Sequence, residues 1–431
     1  MNFDPIAITI LLGTFALLIM IRTPIAFALG IAAVAAALYL ELPLLIVAQR
    51  MVSGLESISL IAIPFFILAG QIMSEGRIAE RLVNLASLFV GRIRGGLAMI
   101  NCVDSMFFGG ISGSAVADVS SLGSVMIPAM QRKGYTKDFA IALTVTTAVQ
   151  AVLIPPSHNM IIYSLVSGGV SVGKLFLAGA LPGFLLGLAL MVASYILAVK
   201  YNFPREEWVG FRKAVKIFLD GLLSVGVAIL IMGGIISGFF TASESAAIAV
   251  LYAFVLTFFV YRDIPLRRFG KILKDSVNTV AMVFLLIGTS SAFGWMMTYL
   301  GVPGAIANWM LSLSNNKYVI LTLINLFLLF IGMIMDMAPA IVICTPILLP
   351  IANQLGVDPV HFGVILMFNL GIGLCTPPVG NALFVGCAVG KAKMEEVFKP
   401  LMVCYLPMIV ILFVITFFPD IAMLLPRLFM K

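Results

Sequence analysis

Apolar stretches of roughly membrane-spanning length follow one another along the whole chain, with polar residues gathered in the gaps between them. A helix needs about 20 such residues to cross a bilayer. On that measure crossings are expected at 5–21, 24–40, 58–73, 138–167, 176–199, 217–240, 244–261, 275–300, 361–389 and 400–418. The stretches 138–167 and 361–389 are each interrupted by a double proline, Pro155-Pro156 and Pro377-Pro378. Three shorter, more amphipathic stretches, 44–57, 77–89 and 303–313, have the pattern of helices lying along the membrane surface. Two segments, 95–130 and 317–352, are too long for one helix and are split near the middle by Gly, Ser or Pro. The second arm of the first, 119–130, would rise only about 18 Å, too little to cross. Both segments are therefore predicted to be re-entrant hairpins, tolerated only where the tip is covered by protein or lines a wet cavity.

The pattern repeats. The double prolines stand 222 positions apart (377 − 155). The same shift carries Phe108 onto Phe330, Gly110 onto Gly332, Pro128 onto Pro350, Gly134 onto Gly356, Asn159 onto Asn381, Gly168 onto Gly390 and Phe176 onto Phe398, without a gap. Loop charge sets the relative orientation of the copies. Arg77, Arg81, Arg92 and Arg94 precede the first hairpin and Arg132, Lys133 and Lys137 follow it, so both its ends face the cytoplasm by the positive-inside rule. The matching segment 300–316 has no charged residue and 353–358 only an acid, so they lie on the other face. The remaining strongly basic segments, 200–216 and 262–274, are separated by two crossings, so both can be cytoplasmic. The expected fold is an all-α integral membrane protein of two inverted repeats, about ten crossings plus two hairpins, with both termini outside.

Composition excludes the soluble alternatives. Apolar residues make up 62% of the 431 and charged residues 10%, where soluble domains carry about a quarter charged. The net charge of +7 sits in a few loops and reports orientation, not nucleic-acid binding. Asp4 replaces the basic start of a signal peptide and no small-residue cleavage site follows, so the first stretch is read as a retained helix. The five cysteines, Cys102, Cys344, Cys375, Cys387 and Cys404, lie in apolar segments without metal-ligand spacing and are read as small buried hydrophobes. There is no phosphate-binding loop, dinucleotide fingerprint or zinc-protease motif, so neither an enzyme nor a pump driven by ATP through this chain alone is expected.

Duplicated, proline-interrupted helices at matching places in two halves point to a transporter's binding site. The first hairpin tip runs from Gly109 to Asp118 and includes Ser112, Gly113 and Ser114; opposite it in the same half stand Ile154, Pro155, Pro156, Ser157, His158 and Asn159. The second tip runs from Gly332 to Pro339, with Asp336 and Met337, opposite Cys375, Thr376, Pro377, Pro378 and Asn381. Proline removes an amide donor and clashes with the preceding turn, so carbonyls near 151–155 and 373–377 lose their helical partners. Such carbonyls are costly in a dry interior unless something satisfies them. A sodium ion would do so, with the hydroxyls of Ser112, Ser114 and Thr376 and the amides of Asn159 and Asn381 completing the shell; exposed helix N-termini would favour an anionic substrate.

The remaining polar residues leave alternatives open. Asp336 replaces Ser114 of the first half and either helps bind a cation or caps a helix; Asp118 is expected to cap the hairpin's second arm. His158 either relays a proton or is held structurally by hydrogen bonds, Glu244 is expected to close a capping box with Thr241, and Asp104 is left without a role.

At these residues the chain resembles the large membrane subunits of the tripartite ATP-independent periplasmic (TRAP) transporters, the DctM/SiaM type. The likeness runs nearly full length. It is carried by Gly110-Ile-Ser-Gly-Ser-Ala115, Ile127-Pro-Ala-Met130 with Gly134-Tyr135, Ile154-Pro-Pro-Ser157 with Tyr163, Gly371-Ile-Gly, and Thr376-Pro-Pro-Val-Gly380. The stretch Thr241–Glu244 departs from the family's turn, with Ala242 and Ser243 where Pro and Thr are usual.

The resemblance implies an elevator: scaffold helices in 1–94, transport parts in 95–175 and 317–399, connecting and scaffold helices in 176–316, and a C-terminal helix in 400–431. It implies sodium ions where each tip meets its break, near Ser112, Gly113, Ser114, Ile154, Pro155, Pro156 and Asn159, and near Gly332, Asp336, Cys375, Thr376, Pro377 and Asn381. Between them it places one carboxylate substrate, a C4-dicarboxylate, a sialic acid or a related acid, touching Ser112, Ser114, Asn159, Asp336, Met337 and Asn381. The implied partners are a soluble periplasmic binding protein and a small four-helix membrane subunit, all at a bacterial inner membrane. Because Met1 leads almost directly into the first helix, that subunit is expected to be a separate chain. The alternative reading is a stand-alone sodium-coupled carboxylate symporter of the divalent-anion type, although the tips lack the paired Ser-Asn-Thr signatures of such symporters. A channel is the remaining class.

Overall fold

The computed structural model describes residues 4–21, 23–206, 210–314 and 316–430. Met1, Arg22 and parts of the segments 200–216 and 300–316 lie outside the described residues. Every regular element among those described is helical. Among the described residues, seven helices are long and apolar enough to cross a membrane alone, and the bent pair Lys137–Leu153 and His158–Val166 would make an eighth.

Both hairpins form where the sequence placed them. The first pairs Gly96–Ser112 with Ala115–Arg132, and the second pairs Lys317–Ile334 with Met337–Gln354. The two second arms start and end at positions related by the same shift that aligns the sequences. The first arm ends because Gly113 turns left-handed, with φ 60°, a conformation that costs glycine little. Ser114 then opens the second arm as its N-cap, accepting from the Ala117 amide at 3.4 Å. That arm has 18 residues and spans about 27 Å, longer than the apolar count of 119–130 suggested. Its length therefore does not mark it as re-entrant; the tight turn at Gly113 and the side-by-side packing of the arms make it a helical hairpin.

The breaks lie at the double prolines. Gln150–Leu153 ends at an extended Ile154, and His158–Val166 leaves at 50° to the preceding span. Pro359–Leu374 is likewise followed by Asn381–Gly390. Both Pro-Pro bonds are cis.

The halves are interleaved, which the sequence did not reveal. Each hairpin's first arm packs on the break of its own half. Each second arm bridges the halves, Ala115–Arg132 packing on Lys137–Thr147 of its own half and on Asn381–Gly390 of the other, and Met337–Gln354 on Pro359–Leu374 of its own half and on His158–Val166 of the other. The outer helices pair across the halves, Ile25–Tyr39 on Phe269–Tyr299 and Ala242–Val255 on Ala62–Glu75. One large apolar core joins hairpins, breaks and neighbouring helices, and a smaller one gathers Pro5–Met20, Ile25–Tyr39 and Leu44–Ser53 around Phe269–Tyr299.

Two boundaries differ from expectation. The basic segment 262–274 is helical from Leu266, because its apolar face continues without a breaker into the next span. The C-terminal stretch divides at Pro419 into Met394–Phe417 and a separate helix, Pro419–Phe429, which packs on Val172–Lys200.

Candidate functional site

The first tip rests directly on the first break. A methyl at Gly109 would stand 2.6 Å from the Ala151 Cα, and one at Gly113 would stand 2.6 Å from the Pro156 carbonyl oxygen and 3.0 Å from the Ser157 Cα. Only glycine allows main chain to approach main chain this closely. Ser112, Gly113 and Ser114 are thus brought against Ile154, Pro155 and Pro156, with Asn159 buried one turn further on. Ser112 and Ser114 stay half-buried, and the Ser112 hydroxyl accepts from the Ser114 amide at 3.4 Å. On the outer side Gly70 of Ala62–Glu75 borders Ser112, and the Ser74 and Ser121 hydroxyls meet at 2.7 Å.

The second tip is built on the same plan. A methyl at Gly373 would lie 2.4 Å from the Gly332 carbonyl carbon, and the Gly380 amide donates to the Met333 carbonyl at 3.4 Å. This brings Gly332 together with the segment bearing Cys375, Thr376 and Pro377, ahead of Asn381. Two of the carbonyls here are less free than expected. Tyr405 donates to the Cys375 carbonyl at 2.5 Å and the Thr376 amide to the Gly373 carbonyl at 2.9 Å, while the Thr376 hydroxyl donates to the Ile372 carbonyl at 2.8 Å. The Thr376 oxygen still keeps acceptor capacity. Sequence reading missed Tyr405 because its repeat mate is Gly183, which has no hydroxyl to suggest the role.

His158 is where the two halves meet. Its amide nitrogen would lie 3.3 Å from a methyl at Gly113, and Asp336 is the charge that acts on its ring. Asp336 occupies the N-cap position of Met337–Gln354 but makes no side-chain capping bond, so the capping alternative is not what the structure shows. It is exposed and free to face a ligand, while Met337 beside it is buried. The His158 ring makes no hydrogen bond among the described residues, so the structural alternative posed for it lacks its contacts. Helices beginning at Ala115, His158, Met337 and Asn381 pack in two cross-half pairs, and each N-terminus offers amide donors and a positive dipole end. Broken-helix carbonyls suit a hard cation, and the helix starts suit a carboxylate.

Two further readings can now be settled. Asp118 does not cap the second arm; Ser114 does, while Asp118 turns inward and accepts from the Ser105 hydroxyl at 2.9 Å. Thr241 and Glu244 do form the capping box, with the Glu244 carboxylate 2.7 Å from the Thr241 amide. All five cysteines are buried and free. The sequence reading also missed a buried polar seam through Asn101, Ser105, Thr144 and Thr147, whose signal was polar residues inside apolar helices.

Known proteins agree with this architecture. The model of the DctM component of the tripartite ATP-independent periplasmic transporters matches residues 12–421. Over 433 aligned residues the chain is 47% identical to the uncharacterized protein YgiK of Salmonella typhimurium, covering 100% of this chain and 99% of that one. Over 383 residues it is 40% identical to the sialic acid TRAP transporter large permease protein SiaM of Vibrio cholerae, covering 89% and 90% of the two. Among solved structures, the YdaH transporter of Alcanivorax borkumensis superposes with a TM-score of 0.62 at 14% identity, over 85% of this chain and 86% of that one, a likeness of fold.

Proposed function

The chain belongs to the DctM family, the large permease subunits of TRAP transporters for small organic acids, and from that premise we propose that it performs sodium-coupled uptake of one carboxylate by an elevator movement. The observation that carries this reading is the duplicated contact of a glycine hairpin tip on a proline-broken helix. At each break, backbone oxygens leave the helical ladder inside a membrane-embedded core. Carbonyls around Ile154, Pro155 and Pro156, with Ser112, Ser114 and Asn159, would hold one sodium ion. Gly332, Cys375, Thr376, Pro377 and Asn381 would hold another, with Asp336 near both halves. Between them Ser112, Ser114, Asn159, Asp336, Met337 and Asn381 frame the carboxylate site, where helix N-termini stabilise negative charge.

The proposed partners are a small membrane subunit and a periplasmic binding protein, at a bacterial inner membrane with both termini periplasmic. The same reading assigns the hairpins and breaks, 95–175 and 317–399, to the moving part. Sialic acid is named for the Vibrio cholerae relative, and C4-dicarboxylates and other sugar acids fit the same site chemistry.

Uptake in vesicles is the test. Pro156→Ala and Asn381→Ala should each raise the sodium needed for half-maximal uptake while membrane insertion is preserved; unchanged sodium activation in both sinks the ion sites. Uptake should also require the soluble binding protein, and full activity without it would favour the stand-alone symporter. Inversion has its own check: thiols at Gly134→Cys and Gly356→Cys, where a side chain meets open space, should label from opposite faces.

A further inference from the structure

One groove on the outer surface has no part in the function above. Phe211–Ile236 crosses Ile78–Val90 closely at Gly221, where a methyl would lie 2.7 Å from the Leu85 Cβ. Towards the start of Phe211–Ile236 an apolar groove of about 300 Å³ opens between the two helices, lined by Leu88, Phe211, Ala214, Val215, Phe218 and Leu219. Phe211 is 79% exposed, and Val215, Phe218 and Leu219 are exposed as well. Ile78–Val90 is too short to cross and has the pattern of a surface helix, which sets the groove at headgroup level. At this end the chain is tied to the base of the first hairpin: the Glu206 amide donates to the Gly91 carbonyl at 3.0 Å and the Gly95 amide to the Pro204 carbonyl at 3.1 Å.

Cations stand beside the apolar wall. Arg212, Lys213 and Lys216 lie on the first two turns of the same helix; all three are exposed, and none makes an ion pair among the described residues. At about 100° per residue, Arg212 and Lys216 fall along the edge of the stripe made by Phe211, Val215 and Leu219. The described acids nearby act elsewhere. Glu206 pairs with Lys133 at 3.2 Å, and Asp220, one turn beyond Lys216, acts on Arg81 and Tyr261. A second groove, along Leu44–Ser53, has the acid Glu56 in its wall and does not share this charge.

Apolar wall and cations together select an amphiphile. A soluble anion gains nothing from the groove, and an uncharged lipid gains nothing from the cations. We propose that this groove binds one anionic phospholipid, its phosphate head on Arg212, Lys213 and Lys216 and part of an acyl chain along Phe211, Val215 and Phe218. Basic pockets between membrane helices hold such heads on the cytoplasmic side, where loop charge places this end of the helix. The proposal rests neither on sodium nor on which acid is carried.

Photo-crosslinking of the full chain tests it, in vesicles of phosphatidylcholine. They carry a trace of phosphatidylglycerol with a photoreactive acyl chain, or of phosphatidylcholine with the same chain, and the labelled peptides are mapped. The expected result is labelling of the peptides holding Leu88 and residues 211–219, at least about five-fold stronger with the anionic probe. Combining Arg212→Gln, Lys213→Gln and Lys216→Gln should lower that labelling by at least about five-fold. Lys271→Gln with Lys274→Gln, which removes exposed cations from another helix, should leave it unchanged. Equal labelling by the two probes, indifference to the triple variant or loss in the Lys271 and Lys274 variant overturns the proposal. So does loss of labelling to inorganic phosphate at matched ionic strength, which would make this a site for free anions. Loss on adding the small membrane subunit would overturn it too, in favour of a protein interface. If the triple variant fails to insert, Val215→Trp decides: it fills the groove and keeps every cation, so labelling should fall, and unchanged labelling means no such site.

Discussion

Through the first hairpin and its broken helix runs a seam of Asn101, Ser105, Asp118, Thr144 and Thr147; at the same places the second half carries Leu323, Phe327, Ala340, Leu366 and Asn369. The second half has its own buried polar chain, which keeps only Asn369 at the place of Thr147. Asn369 donates to Asn325 at 2.8 Å, Asn325 to Thr416 at 3.0 Å, and His361 meets the Ile415 carbonyl at 2.8 Å. The first seam holds the hairpin's two arms together, while the second ties the hairpin to Met394–Phe417. Duplication has kept the double prolines and the glycine turns at Gly134 and Gly356, whereas the left-handed Gly113 at the first tip is replaced by an extended Met335 at the second. Side chains that only needed to fill space have diverged.

Close main-chain crossings offer the strongest way to break this comparison. In the first half Gly109 lies against Ala151, and in the second Gly332 lies against Gly373. Gly109→Ala and Gly373→Ala each drive a methyl into backbone that no rotamer can move, and should cost about 3 kcal/mol or more. Thermal unfolding in detergent should show large, similar losses for both. Gly294→Ala, in a helix interior with open space around it, should be neutral or stabilising by about 0.5–1 kcal/mol. A tolerated Gly373→Ala would mean the second tip does not sit on its break.

The polar seams come next. Ser105→Ala removes the donor to the Asp118 carboxylate seen among the described residues and should destabilise by about 1–3 kcal/mol, and Thr416→Val, which removes the acceptor of the Asn325 amide, by a similar amount. Equal losses would make the seams structural equivalents despite their different positions. A neutral Ser105→Ala would show that the first seam serves something other than stability.

Tyr405 then sharpens the contrast between the two breaks. Its hydroxyl occupies the Cys375 carbonyl, whereas Gly183 leaves the corresponding place in the first half without a donor. Under the sodium reading, Tyr405→Phe releases an oxygen and should lower the sodium needed for half-maximal uptake by roughly five-fold, the equivalent of about 1 kcal/mol. An unchanged sodium curve would remove that carbonyl from the ion site.

How far these features were legible follows from their range along the chain. Pro155-Pro156, Gly113 and the 222-position shift act locally or by repetition, so the breaks, tips and doubled plan could be read directly. The cross-half contact of the second arms could not, because nothing local in Met337–Gln354 shows that it packs on His158–Val166 as well as on its own half's Pro359–Leu374. Asp118 misled for a related reason: an acid in a helix's first turn usually caps it, but here the Ser105 hydroxyl from the other arm reaches it first. Tyr405 and Thr416 lie in a late apolar helix whose neighbours only the fold supplies.

The smallest effect concerns the outer helices. Ile25–Tyr39 and Ala242–Val255 are exchanged reciprocally, so the fold treats them as equivalents, yet they begin differently. The first opens on Pro24, which has no side chain able to accept from the first-turn amides. The second opens on Thr241, which accepts from the Glu244 amide at 3.3 Å while the Glu244 carboxylate returns to the Thr241 amide. Thr241→Ala should therefore cost about 1 kcal/mol, and Thr23→Ala, beside a helix start with no side-chain cap, less than about 0.5 kcal/mol. Hydrogen exchange at the first turns reads the two ends separately, with faster exchange expected after Thr241→Ala only. Equal exchange in both variants would mean that packing against Ala62–Glu75, and not the cap, fixes where this helix begins.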